Sequence, residues 1–201
     1  MNFPSSPLIS SFQEVYNHLG LNKETSVLDV GCGLGPNVYL KDVWDFKYTG
    51  IDPSRHAIAA AHEKWNRSLD LENPKFEVTT LKDFAKGTND SFDVVLDRAS
   101  LQHIDLSEYD VDHSPIRDIH QILSRRSHTK NGFLISQWAS KSNDLTAITK
   151  NFKTFTGFEE FENEIRKYFV ITKLTRINSS NIVPENGEIV EYLMVASAKI
   201  L

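Results

Sequence analysis

Three glycines in alternation, in the run Asp29-Val30-Gly31-Cys32-Gly33-Leu34-Gly35, close a short β-branched stretch and precede a helical pattern. Glycine at such a place permits a tight turn and lets the main chain approach a ligand that a Cβ would hold off. Asp52 follows Gly31 by 21 positions, at the tip of the next apolar run. That is about the spacing at which a carboxylate accepts hydrogen bonds from ribose hydroxyls. In a dinucleotide loop the third glycine comes three positions after the second. Here that position is Pro36 and the third glycine is Gly35, so the dinucleotide pattern fails. Asp29, two positions ahead of the loop, would sit poorly beside a pyrophosphate but suits an adenosine ligand that also bears an ammonium group.

A second chemical segment is Asp97-Arg98-Ala99-Ser100-Leu101-Gln102-His103. It ends the fourth apolar run, and open α/β sheets bind ligands beyond such strand ends. His103 is the candidate general base, since imidazole titrates near neutral pH and can take a proton from a hydroxyl. Packing, or a cofactor contact, is the competing role for it. Arg98 can grip a carboxylate or phosphate through its planar fork, or simply pair with Asp97 or another acid. Cys32 reads as a small residue filling the loop rather than as a nucleophile. The run Asp105, Glu108, Asp110, Asp112 and His113 lacks distinctive metal-ligand spacing and reads as a solvated loop, so no metal is expected.

The elements that must position these groups alternate along the chain. Thr25–Val30 and Tyr48–Asp52 read as buried strands with a short helix, Asn37–Trp44, between them and Pro36 in its first turn. Ser54 caps a helix to about Trp65, with Ile58, Ala61 and Trp65 on one face. Strands follow at Lys75–Thr79, Phe92–Asp97 and Phe133–Trp138. Ser114-Pro115 opens a helix striped by Ile116, Ile119 and Leu123, and Asn131-Gly132 supplies the turn after it. Phe158, Phe161 and Ile165 suit a further helix. Tyr168–Ile177 and Ile189–Ala198 read as strands whose polar connection, Asn178–Glu188, is too short for a parallel crossover and predicts an antiparallel hairpin. The fold class is therefore α/β, a mostly parallel sheet covered on both faces.

At 201 residues the chain is expected to form a single domain, with 40% hydrophobic and 24% charged residues. Its expected parts are an N-terminal cap over 1–24, a cofactor-binding core over 25–139 and a substrate-side helix with the final strands over 140–201. No stretch approaches the roughly 20 apolar residues of a membrane span, and the start lacks a secretory pattern. With the single Cys32 unable to form an internal disulfide, a soluble cytoplasmic protein is expected. A net charge of -5 disfavours nucleic acid as partner, and Arg125, Arg126 and Lys130 read as a solvated helix end.

The segments VLDVGCGLG, GIDPS and FDVVLDRASLQHI resemble the class I S-adenosylmethionine-dependent methyltransferases, whose first motif is an acid followed by Gly-x-Gly-x-Gly. The similarity runs over roughly Val27–Trp138. It implies a Rossmann-like doubly wound seven-stranded sheet of order 3-2-1-4-5-7-6 with strand 7 antiparallel. It also implies that Asp29 and the backbone of Gly31, Gly33 and Gly35 hold the methionine end of S-adenosyl-L-methionine and Asp52 its ribose. Cys32, Pro53, Thr80, Leu81 and Asp97 complete the implied cofactor contacts, and S-adenosyl-L-homocysteine is the implied product. Where the family often has an adenine-binding acid after strand 3 this chain has Thr80, with Asp83 or Asp90 as substitutes.

In-line methyl transfer needs mainly alignment, plus a base where the acceptor must lose a proton. Arg98 and His103 are the expected substrate neighbours. By the same resemblance the N-terminal segment covers the site, so that Tyr16 and Phe12 either close it or form a core stripe. Asp97-Arg98 locally resembles the thiopurine methyltransferase branch, and the Asn/Asp-Pro-Pro-aromatic motif of nucleobase and glutamine enzymes is replaced by Asp-Arg-Ala-Ser. The only candidate lid is Ser140–Gly157. These features predict a small-molecule or glycan acceptor, methylated on oxygen. Nitrogen, sulfur or macromolecular acceptors, or a non-catalytic partner subunit, are the alternatives.

Overall fold

The computed structural model describes residues 6–65, 74–110, 113–125, 132–141, 158–178 and 189–199. Among these, seven strands form one sheet in the order β3-β2-β1-β4-β5-β7-β6. The strands are β1 (Ser26–Val30), β2 (Lys47–Asp52), β3 (Lys75–Val78), β4 (Val94–Arg98), β5 (Phe133–Lys141), β6 (Phe169–Asn178) and β7 (Ile189–Ala198). β1, β2, β3, β4 and β5 are parallel to one another, whereas β7 runs antiparallel to both β5 and β6. The expected sheet order and final hairpin are both present. The connection 179–188, the lid stretch 142–157 and residues Arg126, Lys130, Asn131 and Asp112 lie outside the described residues.

Helices cover both faces because alternate residues of each central strand point to opposite sides. Leu28, Val95, Leu134, Met194 and Ala196 meet α3 (Leu81–Gly87), α4 (Pro115–Ser124) and α5 (Phe158–Tyr168) in one core. Val27, Val94, Ile135, Leu193 and Val195 meet α1 (Ser6–Leu19) and α2 (Arg55–Trp65) in the other. The helix starts follow local capping chemistry. Ser54 Oγ accepts from the N–H of Ala57 at 3.2 Å, and Ser114 Oγ from that of Arg117 at 3.2 Å with Pro115 in the first turn. The buried residues of α2 are Ile58, Ala61 and Trp65, the stripe expected from the sequence.

Three details differ from the sequence reading. Pro36–Asp42 is a 3-10 helix rather than an α-helix. β5 continues three residues past Trp138, because β7 pairs with it as far as Lys141. α3 is an addition: Thr80 caps it, accepting from the N–H of Asp83 at 3.1 Å while its hydroxyl lies 2.8 Å from the Asp83 carboxylate. Its seven residues are too few to show helical periodicity, but Thr80-x-x-Asp83 is a capping signature that marks it.

Candidate active site

β1 has β2 on one side and β4 on the other, so the chain's winding direction reverses between β1 and β4. In such a sheet the loops leaving the two strands diverge and a crevice opens at their C-terminal ends. The crevice here measures about 460 Å3. Its walls are Val30 and Gly31 beyond β1; Ile51, Asp52 and Pro53 at the end of β2; and Thr79 to Lys82 after β3. Arg98, Ala99 and Ser100 close it at the end of β4, with His103, Ile104, Asp105, Glu108 and Tyr109 from the two 3-10 turns that follow.

The three loop glycines all have positive φ, but their surroundings separate them. A Cβ on Gly31 would lie 2.3 Å from Ser100 Cβ, and one on Gly35 would lie 2.8 Å from Trp65 Nε1 and 3.0 Å from the Phe76 ring. A Cβ on Gly33 would meet nothing within 4 Å. Gly31 and Gly35 are therefore demanded by packing, while Gly33 leaves an open place beside the crevice. The N–H of Gly33 donates to Asp52 at 3.0 Å, and the Ser54 N–H donates to the other Asp52 oxygen at 2.8 Å. Those two bonds fix the carboxylate at the crevice wall and leave further lone pairs for a ligand. An open position over a bare turn, next to a fixed carboxylate, fits a nucleoside bearing a charged tail.

Asp29 is buried behind the wall. Its two oxygens lie 3.1 Å from Asn37 Nδ2, and the Tyr48 hydroxyl donates to one of them at 2.5 Å. Burial raises its pKa to about 7, against the hydrogen bonds from Tyr48 and Asn37 that hold it down; the Asp97 charge adds to the rise. Asp97 is also buried, and burial raises its pKa. It accepts from the N–H groups of Ser100 and Leu101 at 2.9 and 3.0 Å and from the Ser136 hydroxyl at 2.6 Å. Ser100 Oγ stands 2.5 Å from Asp97 and 2.6 Å from the Val30 carbonyl, tying the β4 exit to the β1 exit. Ala99, between them, holds φ 59, a left-handed conformation that costs an L-residue about 1–2 kcal/mol.

Of the residues singled out from sequence, Gly31, Asp52, Pro53, Thr80, Leu81, Arg98 and His103 share the crevice. His103 is exposed there, its ring Nε2 3.3 Å from Gln102 Nε2. Asp29 and Asp97 lie behind the lining and act on it through neighbours. Cys32 is buried with its thiol directed toward Gly50 and its N–H bonded to Ile51 O. Burial, together with Asp29 and Asp52, pushes the thiol well above its ordinary pKa, which suits a filler and not a nucleophile. Thr80 spends its hydroxyl on Asp83 as a helix cap, and Asp90 is not among the lining residues.

The structure does not bring Tyr16 to the crevice. Its hydroxyl donates to Asp45 O at 3.3 Å, just before β2 begins, at the opposite end of the sheet. Its ring packs with Phe12 and Trp44, so the spacing of Phe12 and Tyr16 is a core stripe. Sequence reasoning in turn missed Tyr48, Asn37, Lys82 and Tyr109. Tyr48 is legible only as a strand residue, although its spacing of two residues from Gly50 and four from Asp52 puts it on their face. Among the described residues no group of three or more His, Cys, Asp or Glu could hold a metal ion, and no helix is long and apolar enough to cross a membrane.

A family model described as a methyltransferase domain matches residues 21–179. Phosphoethanolamine N-methyltransferase 1 of Triticum aestivum is 36% identical over 96 residues, which are 46% of this chain and 18% of that protein. The match thus spans less than a fifth of the relative's length. Among solved structures, the PH0226 protein from Pyrococcus horikoshii OT3 superposes with a TM-score of 0.66 at 17% identity, covering 96% of this chain and 90% of that one. The N-methyltransferase NodS from Bradyrhizobium japonicum WM9, in complex with S-adenosyl-L-homocysteine, gives 0.67 at 15%, covering 95% and 86%. Glycine turn, strand-end carboxylate, sheet order and a family match over most of its length agree: the chain belongs to the class I S-adenosylmethionine-dependent methyltransferases.

Proposed function

We propose that this chain transfers a methyl group from S-adenosyl-L-methionine to a small-molecule or sugar acceptor in the crevice at the ends of β1, β2 and β4. The observation that carries the proposal is the crevice itself. At about 460 Å3 it is in the range of small-molecule sites, and it sits where the loops of this fold bind ligands. Bound there, the donor supplies an electrophilic methyl group. Asp52 accepts from ribose hydroxyls, the open main chain at Gly33 admits the donor's tail, and Asp29 lends negative charge to the ammonium end. Leu81, Val30, Ile51 and Ile104 give the crevice apolar walls that keep water from the reacting atoms.

For an oxygen acceptor, His103 takes the hydroxyl proton as the bond to carbon forms, and Arg98 orients an anionic group of the acceptor. Folded protein is expected to bind S-adenosylmethionine in isothermal titration, and failure to do so would end the proposal. His103→Ala is expected to lower turnover on the identified acceptor by about 100-fold while leaving donor affinity near wild type.

A second reading, methylation of an amine, is favoured by Asp105 and Glu108 in the crevice wall, which would attract a cationic acceptor. The names of the wheat relative and of NodS, both N-methyltransferases, point the same way. Product mass spectrometry with an isotopically labelled donor separates oxygen from nitrogen. S-adenosylhomocysteine release across metabolite pools separates an enzyme from a non-catalytic partner subunit.

A further inference from the structure

We infer that Tyr48 and Asn37 are positioning residues for the methyl donor: from beneath the glycine turn they hold the Asp29 carboxylate in place behind the crevice wall, where its negative charge favours the donor's ammonium end. The inference rests on the methyltransferase reading above and goes beyond it. Neither residue belongs to the glycine motif, and neither touches the crevice.

The geometry around Asp29 is costly for a purely structural element. Asp29, Asn37 and Tyr48 are each at most 3% exposed. Asn37 donates through Nδ2 to both Asp29 oxygens, and its own Oδ1 has no hydrogen-bond partner among the described residues. A buried acid with two polar neighbours, one of them half satisfied, gives less stability than an apolar cluster of the same volume. Such arrangements persist where charge is needed. Gly50 makes the reach possible. Opposite Asp29 in the β1–β2 pairing it carries no side chain, so Cys32 packs into that space and the Tyr48 ring, on the same face, passes its hydroxyl to Asp29.

The groups acting on Asp29 come from every element around it: Tyr48 of β2, Asn37 of the 3-10 helix, and Asp97 and Arg98 of β4; Cys32 of the loop lies close enough that the Asp29 charge acts on its thiol. Burial and Asp97 favour the protonated acid, whereas Tyr48, Asn37 and Arg98 favour the carboxylate. Tyr48 stands first among the groups that oppose burial, with its hydroxyl donating directly to the carboxylate at 2.5 Å.

The test is donor affinity against pH. S-adenosylmethionine binding is titrated calorimetrically from about pH 6 to about pH 8 for wild type, Tyr48→Phe and Asn37→Leu, with melts confirming that each is folded. Comparison with wild type at each pH cancels the donor's own titration. Tyr48→Phe is expected to bind more weakly by about fivefold or more at neutral pH and to regain affinity as pH rises, since loss of the Tyr48 donor moves Asp29 further toward the protonated acid. Asn37→Leu is expected to act in the same direction and keeps the test alive if Tyr48→Phe does not fold. 5′-Methylthioadenosine, which lacks the amino-acid tail, should bind wild type and variants alike. A variant defect that is constant with pH, or equal for methylthioadenosine, would overturn the positioning role and leave the methyltransferase reading intact. If folded wild type bound neither ligand, that reading would fall and this inference with it.

Discussion

Of the three loop glycines, Gly31 and Gly35 lie against side chains while Gly33 faces open space. Gly31→Ala drives a methyl group into Ser100 and adds left-handed strain, so it is expected to cost about 3 kcal/mol in thermal or urea melts. Gly33→Ala meets open space and carries only the left-handed strain, about 1–2 kcal/mol, yet puts a methyl group into the place left open over the turn whose N–H holds Asp52. It should stay folded and lose donor affinity by about tenfold or more in calorimetry. Asp29 gives a prediction of opposite sign. Its folded pKa of about 7 lies above the ordinary value of 3.8, so its contribution to stability is full below about pH 4 and is lost as pH rises through 7. Asp29→Asn, which mimics the protonated acid, should therefore raise the melting temperature more at about pH 8 than at about pH 5 while weakening donor binding. An equal shift at both pH values would show that Asp29 ionises freely in the folded state.

At the scale of elements, the exit of β4 explains why an exposed histidine can have a defined place. The buried Asp97 carboxylate collects the Ser100 and Leu101 N–H groups and the Ser136 hydroxyl, and so fixes the 3-10 turn Leu101–His103 against β5. Ala99, held at φ 59, is where the chain bends to enter that turn. Relief of that strain by Ala99→Gly outweighs the added unfolded-state entropy. The variant should be roughly 0.5–1 kcal/mol more stable in denaturant melts. These features also mark how far local sequence could be read. Asp97, Arg98 and His103 were recognisable as a strand-end segment, and Ser54 and Ser114 as caps, since each depends on neighbours within a few positions. Thr80 lines the crevice and also caps α3, a helix too short for its periodicity to be read in the sequence. The spacing of Phe12 and Tyr16 suits a lid and a core stripe alike, and only the tertiary contacts with Trp44 and the Asp45 carbonyl select the stripe.

For the molecule as a whole, the sheet separates two cores, and the crevice lies at one edge of both. Phe161 of α5 is fully buried and stacks on Trp138 of β5 with ring centroids 4.3 Å apart. Neither residue lines the crevice. Phe161→Ala is expected to cost about 3–5 kcal/mol of stability and to leave the donor affinity of the folded fraction unchanged. Loss of affinity along with stability would mean that the α5 side of the core couples to the site.

The amino-acid sequence alone determined the alternation of strands and helices, the antiparallel final pair, the glycine turn and the acid at the end of β2. Each of these is written in periodicity, turn chemistry or spacing over a few to some twenty residues. Tertiary structure alone decided which glycine faces open space, that Asp29 and Asp97 are buried behind the wall, and that Tyr48 and Asn37 serve Asp29. The physical reason is separation along the chain. Ser100 meets Val30 across 70 positions and Tyr48 meets Asp29 across 19, and contacts of that kind exist only once strand order and register have brought the partners together.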